Sequence, residues 1–278
     1  MLPVLTRHPR PEGDGKPPRV TRKLSRTMLR TVAAHRLIEA DDRILVAVSG
    51  GKDSYTLLDL LWKARRKAPV RFELIAFHLD QGQPGYDGRP LRQWLERCGA
   101  RFEIAREDTY SLVLGEAEQH ESPAHCRLCS RLRRGILYTA ADRLGCNKIA
   151  LGHHRDDALE TLLLNLFYAG RLQAMPAAYT TNDGRFRVIR PLIECGEAEI
   201  ARHAAVAGYP IVPCRLCGSQ SDSKRETVAR LLSELERQIP NVRQVMLAAL
   251  KNVRPSHLLD AEVAEAWSAQ ASNYPPRS

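Results

Sequence analysis

Nowhere in the 278 residues does an apolar run approach the ~18 residues that a membrane-spanning helix requires. The opening stretch Met1-Leu2-Pro3-Val4-Leu5-Thr6-Arg7-His8-Pro9-Arg10 lacks the apolar centre of a secretory leader, so the expected location is the cytosol. No segment repeats, and none beyond the amino-terminal tail is of low complexity. Acidic residues are in deficit: 32 Asp and Glu face 42 Lys and Arg, leaving a formal charge of +10 and a pI near 9.5. Such a balance favours a polyanionic partner, although many basic proteins have none. An even, disulfide-forming cysteine set is also missing. The seven cysteines are Cys98, Cys126, Cys129, Cys146, Cys195, Cys214 and Cys217, an odd number for a reducing compartment. Four of them form two Cys-x-x-Cys pairs, which points to metal or redox chemistry.

What is present is a chain of ordinary globular composition, 44% hydrophobic and 27% charged. Residues 1–22 read as a mobile basic tail, 23–260 as a single domain and 261–278 as a short tail. A basic amphipathic helix is expected first, with Leu24, Met28, Leu29, Val32 and Leu37 on its apolar side. The apolar run 43–48 then reads as a buried parallel strand, followed by a Ser-Gly-Gly turn and a helix that Asp53 or Ser54 caps. Strands at 72–79, 101–105 and 148–151 alternate with helices at 91–98, 130–144 and 156–167. A turn at Asn182-Asp183-Gly184 leads to a strand at 187–189, and the chain from Glu197 onward reads as mainly helical. This alternation predicts an α/β fold: a doubly wound parallel sheet with helices on both faces and helical additions at both ends.

The sharpest local signal is Ser49-Gly50-Gly51-Lys52-Asp53-Ser54, placed directly after the first strand. Its glycines permit positive φ and close approach of backbone amides to an anion, and the next helix adds its positive N-terminus. It is not a Walker A loop, because Val46 stands where the first glycine would be and Asp53 follows the lysine. A plain glycine turn before a capped helix is the competing reading. The carboxyl edge of such a sheet, however, is where ligands bind. The hexapeptide resembles the PP-loop of ATP pyrophosphatases (adenine nucleotide alpha hydrolase-like proteins). That resemblance implies that the loop holds the β,γ-pyrophosphate of ATP while the α-phosphate is attacked. Lys52 would then neutralise phosphate charge, and Asp53 would either position Mg²⁺ or cap the helix.

The cysteine pairs lie in His125-Cys126-Arg127-Leu128-Cys129 and in Pro213-Cys214-Arg215-Leu216-Cys217-Gly218. Spacing alone leaves open a structural zinc site, an iron–sulfur cluster, and ordinary buried thiols. The wider pattern resembles the tRNA 2-thiocytidine synthetases, the TtcA family, over roughly residues 24–259. Its blocks are the hexapeptide with Tyr55-Thr56, Leu79-Asp80-Gln81, Cys126 through Gly135, and Gly152-His153-His154-Arg155-Asp156-Asp157. Arg190-Pro191-Leu192, Pro213 through Gln220, Asn252-Val253 and Pro255-Ser256-His257-Leu258 complete them. Ala169, where the family usually has glycine, is a departure that leaves the proposed chemistry untouched.

The resemblance implies ATP-dependent thiolation of cytidine 32 in tRNA, with a cysteine desulfurase as sulfur source, Mg²⁺ as a cofactor and a homodimer. It also implies a 4Fe–4S cluster on Cys126, Cys129 and Cys217 with one open iron, and it is only the resemblance that separates Cys217 from Cys214. Ser49, Gly50, Gly51, Lys52, Asp53, Ser54 and Asp80 become candidate nucleotide-binding residues, and Asp53 and Asp156 candidate catalytic carboxylates. His153, His154 and Asp157 follow a predicted strand, so nucleotide contact and simple helix capping both fit them. Arg131, Arg133 and Arg134 fit either phosphate contact or a solvated helix face. Cys98, Cys146, Cys195, Trp62 and Trp94 read as packing residues.

Overall fold

The computed structural model describes residues 17–113, 125–212 and 224–271; the later Cys-x-x-Cys pair lies outside them. The chain opens with α1 (Arg19–Ala34), whose buried stripe is Thr21, Leu24, Met28 and Thr31. It therefore begins inside the stretch read as a tail. Leu29 sits 100° round the helix from Met28 and is exposed, whereas Leu37 is buried but lies beyond the helix end. Next come β1 (Arg43–Ala47), α2 (Lys52–Arg65), β2 (Glu73–Asp80), α3 (Arg89–Cys98) and β3 (Arg101–Arg106). After the gap, α4 (His125–Arg143), β4 (Lys148–Ala150), α5 (Arg155–Tyr168), β5 (Ala178–Thr180) and β6 (Arg187–Ile189) follow. The last described elements are α6 (Glu197–Ala207), α7 (Lys224–Gln238), α8 (Val242–Lys251), a short 3₁₀ turn (Pro255–His257) and α9 (Ala261–Ala271). No described helix is long and apolar enough to cross a membrane.

The sheet has six strands in the order β3-β2-β1-β4-β6-β5. All neighbours pair in parallel except β5 and β6, the antiparallel hairpin expected at residues 182–184. The chain winds outward from β1 to β3 and then returns to place β4 on the other side of β1. This reversal makes the β1/β4 boundary the switch point where doubly wound folds leave a crevice.

Alternating side chains of the central strands feed two cores. Ile44, Val46, Leu74 and Ala76 point to one face, against α1, α2, α3 and α6. Leu45, Ile75, Phe77 and Ile149 point to the other, against Ala140 and Ala141 of α4. A third cluster joins Leu159 and Leu163 of α5 to Val228 and Leu232 of α7, with Met246 and Leu250 of α8 packed on it. The carboxy-terminal helices thus attach through α5, the helix that starts at the switch point. Cys146 and Cys195 are buried, and Trp94 packs edge-on to Tyr55 at 4.7 Å, as expected of core residues.

Candidate active site

Two features of α2 differ from the sequence expectation. The residue at its N-cap is Gly51, and no side chain caps it. Asp53 instead faces Lys52, while Ser54 Oγ accepts from the Ser49 amide at 3.1 Å and donates to the Gly51 carbonyl at 2.9 Å. A helix start without a side-chain cap keeps its positive end available to an anion. The second difference concerns the glycines. Only Gly50 has positive φ, at +86°, whereas Gly51 is extended at φ −86° and ψ 160°.

The loop is braced from three sides. The Gly50 carbonyl accepts from the Val212 amide at 3.0 Å, and Tyr55 donates through its hydroxyl to the Pro210 carbonyl at 3.0 Å. Just before the loop, the Val48 carbonyl accepts from Nδ1 of buried His78 at 2.7 Å, and His78 Nε2 accepts from the Tyr86 hydroxyl at 2.5 Å. Just beyond β4, Gly152 lies so close that a Cβ there would come within 3.1 Å of the Asp53 carbonyl carbon and the Ser54 nitrogen. Glycine is needed at 152 for this close approach of two backbones.

Lys52 Nζ reaches Glu197 at 2.9 Å and Asp53 Oδ2 at 3.3 Å. Burial alone would lower its pKa, but these two carboxylates more than reverse that and hold it above the ordinary value. Asp53 shows the opposite balance. Burial raises its carboxyl above the ordinary range, with His154 and Lys52 offsetting part of the shift. Its Oδ1 is buried, has no hydrogen-bond partner among the described residues, and lies 3.8 Å from His154 Nε2.

At the start of α5, His154 is the N-cap. Its Nδ1 accepts from the Asp157 amide at 3.4 Å, and Asp157 Oδ2 accepts from the His154 amide at 2.9 Å, a reciprocal capping box. The other ring nitrogen, Nε2, faces Asp53. His153 faces Arg190 Nε at 3.4 Å; burial and that guanidinium push its pKa down to about 4, so it is neutral near pH 7. Asp156 is buried and fully engaged. It accepts from the Glu197 amide at 2.8 Å, from Arg243 at 2.9 Å and from Arg155 at 3.2 Å. Burial would raise its pKa, but these donors outweigh it and leave the carboxyl below its ordinary value.

The structure thus gathers Ser49, Gly50, Gly51, Lys52, Asp53 and Ser54 with His154 at the switch point. Asp80 ends β2, with Oδ1 accepting from the Gly82 amide at 3.0 Å. The next residue, Gln81, meets the cysteine helix: Cys129 Sγ donates to its Oε1 at 3.6 Å. Helix α4 begins at His125, ahead of the expected start, so both Cys126 and Cys129 fall within it. Arg131 and Arg134 are exposed on this helix, while Arg133 is half-buried. Cys214 and Cys217 lie outside the described residues, among which no group of three metal-ligating side chains occurs. Sequence reading missed His78, Glu197, Val212 and Arg243. Each acts through a long-range contact, and none belongs to a local motif that would single it out.

Comparison with known proteins agrees with this geometry. A PP-loop domain family (ATP_bind_3) matches residues 20–211. The tRNA-cytidine(32) 2-sulfurtransferase of Sorangium cellulosum is 54% identical over 239 residues, 86% of this chain and 84% of the relative. The enzyme of the same name from Verminephrobacter eiseniae is 47% identical over 263 residues, covering 93% and 83%. Among solved structures, the U34-tRNA thiolase NcsA from Methanococcus maripaludis, with its 4Fe–4S cluster, superposes with a TM-score of 0.65. That match covers 93% of this chain and 89% of the other at 21% identity, a likeness of fold. With the phosphate loop in place and relatives this close along most of both chains, the protein belongs to the PP-loop domain family and, within it, to the tRNA-cytidine(32) 2-sulfurtransferases.

Proposed function

We propose that this protein thiolates C2 of cytidine 32 in tRNA, consuming ATP and releasing AMP and pyrophosphate. The observation that carries the reading is the contact between Cys129 and Gln81: it brings the cysteine helix to the sheet edge that carries the phosphate loop. On this reading the ATP-activating half and the sulfur-handling half lie along the same carboxyl edge of the sheet.

The chemical problem is that oxide is a very poor leaving group. The C2 oxygen attacks the α-phosphorus of ATP, the bond to pyrophosphate breaks, and the base carries AMP on that oxygen. Sulfur then bonds to C2, and the C2–O bond breaks with release of AMP. The uncapped start of α2 and Lys52 stabilise the charge on the departing pyrophosphate. Phosphate oxygens would take the place of Glu197 at Lys52, the more exposed of its two carboxylate partners. Asp53 Oδ1, buried and without a hydrogen-bond partner among the described residues, would suit a hydrated Mg²⁺, which would supply that partner and offset the cost of burying the oxygen. His154 Nε2 lies 3.8 Å from that same oxygen.

A 4Fe–4S cluster fits the donor set proposed for it, Cys126, Cys129 and Cys217, and supplies a soft metal site for sulfur. Cys126 and Cys129 stand three residues apart within α4. The sulfur source is a cysteine desulfurase, whose persulfide sulfur a thiol reductant brings to the sulfide level, the thiol leaving as a disulfide, and the working form is a cytosolic homodimer. Asp156, considered a catalytic carboxylate from sequence, is better explained as an anchor tying α5 to α6 and α8. Asp156→Asn is then expected to cost about 3–5 kcal/mol of stability, the usual penalty for breaking a buried ion network. Because its folded pKa is lowered, that contribution is present above the ordinary carboxylate range and fades as pH falls through the lowered value. Denaturant midpoints at neutral pH check this; an unchanged midpoint with lost activity would return Asp156 to the chemistry.

The test of the reading is pyrophosphate release with and without tRNA. Release that requires tRNA supports substrate adenylation; release that ignores tRNA fits a regulatory nucleotide loop on a tRNA-binding protein. A closed zinc site in a different PP-loop ligase is separated by iron, sulfide and zinc analysis of anaerobically purified protein. The net charge of +10 further predicts that tRNA affinity falls at least ~10-fold between ~50 and ~200 mM salt through counterion release. A flat salt response would assign the basic surface to something else.

A further inference from the structure

We propose that the arginine face of α1 is the surface that tracks the phosphate backbone of tRNA beside the crevice. The proposal rests on the reading that tRNA is the substrate, and it adds where the chain meets that substrate's sugar–phosphate strand. Helix α1 carries Arg19, Arg22, Lys23, Arg26 and Arg30 and no acidic residue. At about 100° per residue these five fall within an arc of about 100°, and all are exposed. Thr21, Leu24, Met28 and Thr31 occupy the opposite side and are buried. From Arg19 to Arg30 the basic face runs about 16 Å, enough to face several successive phosphates.

Such a face is unfavourable for the folded chain by itself. Arg19 and Lys23, Arg22 and Arg26, and Arg26 and Arg30 are i,i+4 pairs of like charge, and each pair destabilises the helix. Arg19 and Arg22 also stand in the first turn, where the helix dipole is already positive and no side chain caps the start. Lys23 is neutralised by Glu199. Among the described residues, Arg19, Arg22, Arg26 and Arg30 have no acidic partner. Positive charge is thus concentrated and left uncompensated along one helix, an arrangement that an external polyanion stabilises.

The face also lies close to the chemistry. Helix α1 is fastened to α6 by the Lys23–Glu199 pair and by a buried hydrogen bond of 3.0 Å between Thr21 Oγ1 and His203 Nδ1. The first residue of α6, Glu197, reaches Lys52 of the phosphate loop at 2.9 Å. A strand lying on α1 therefore passes one helix away from the proposed site of adenylation. Guanidinium groups suit phosphates because their forked N–H donors match two oxygens at once. A lipid surface fits less well: an amphipathic helix enters a bilayer with its apolar side, and Leu24 and Met28 on that side of α1 are packed in the core. Backbone contacts carry no sequence information, so this face sets orientation and leaves the choice of base to the crevice.

The experiment is equilibrium binding of unmodified tRNA to the full chain across a salt series, for wild type and two triple variants. The first combines Arg22→Gln, Arg26→Gln and Arg30→Gln. The second, a charge-matched control, combines Arg66→Gln, Lys67→Gln and Arg71→Gln, all exposed and at the far end of α2 from the phosphate loop. The α1 triple should weaken binding at least ~10-fold at ~100 mM salt and reduce the slope of log affinity against log salt by about 2–3. Affinity should fall equally for tRNA with cytidine or uridine at position 32, because phosphates are what the face contacts. The control should keep the wild-type slope. Arg26→Gln alone, taking about 1 off the slope, decides the matter if the triple fails to fold. A wild-type slope in the α1 variants, or equal losses in both triples, would overturn the proposal. So would binding to phosphatidylglycerol vesicles that the α1 triple abolishes while tRNA affinity holds. A wild type that does not bind tRNA at all would instead overturn the reading on which the proposal rests.

Discussion

Gly50→Val is expected to cut tRNA-dependent pyrophosphate release roughly a hundredfold, about 2.7 kcal/mol of lost transition-state stabilisation. Valine is β-branched and poorly tolerated at φ +86°, so the turn must change shape to accept it. Space is short as well: a Cβ at Gly50 would already sit 3.4 Å from Val212 Cβ and 3.8 Å from Leu91 Cδ1, before any branch is added. Reshaping the turn moves the start of α2, whose amides and Lys52 are the proposed phosphate ligands. Gly51→Ala makes the informative contrast. Its φ is ordinary, and a Cβ there would meet only Ser49 Oγ at 3.5 Å, so the folded protein should tolerate it. Activity lost in Gly51→Ala without loss of stability would then report crowding of the phosphates. Full activity in Gly50→Val would refute the loop assignment.

The second large effect is expected at the cysteines. Cys126→Ser, Cys129→Ser and Cys217→Ser should each lose most of their iron and at least ~100-fold in thiolation, at or beyond the range seen for disturbing metal surroundings. Cys214→Ser should keep both. Serine nearly preserves volume while replacing a soft sulfur with a hard oxygen, so the series probes ligation more than packing. Three ligands leave a coordination position open, whereas four close the site, the distinction that separates catalytic from structural metal centres. Equal losses at Cys214 and Cys217, with zinc as the metal found, would sink the sulfur-transfer mechanism while leaving the ATP loop standing.

These two predictions differ in how much of their basis was legible from sequence. The strand–helix alternation and the hexapeptide after β1 are local patterns, and they put the loop at the carboxyl end of β1, beside which the strand order reverses. The hexapeptide did not reveal which glycine carries positive φ. That glycine is braced by Val212, which follows 162 positions later and donates its amide to the Gly50 carbonyl. The cap was misread for a related reason: Asp53 and Ser54 are good capping residues in isolation, but Lys52 occupies one and the Ser49–Gly51 turn the other. Asp156 illustrates the same limit. Its position beside two histidines suggested chemistry, while the Arg243 and Glu197 contacts that engage it come from helices far along the chain. Leu29 shows it in packing, since periodicity gives an apolar arc but not which edge of the arc meets the core.

The most direct measurement is nucleoside mass spectrometry of tRNA incubated with reconstituted protein, ATP, Mg²⁺, a cysteine desulfurase, cysteine and a dithiol reductant, with AMP and pyrophosphate counted in the same tubes. The account predicts 2-thiocytidine at position 32, with one AMP and one pyrophosphate for each modified base. Thiolation at another position, nucleotide cleavage without tRNA, or an iron-loaded protein that leaves cytidine 32 unmodified would contradict it.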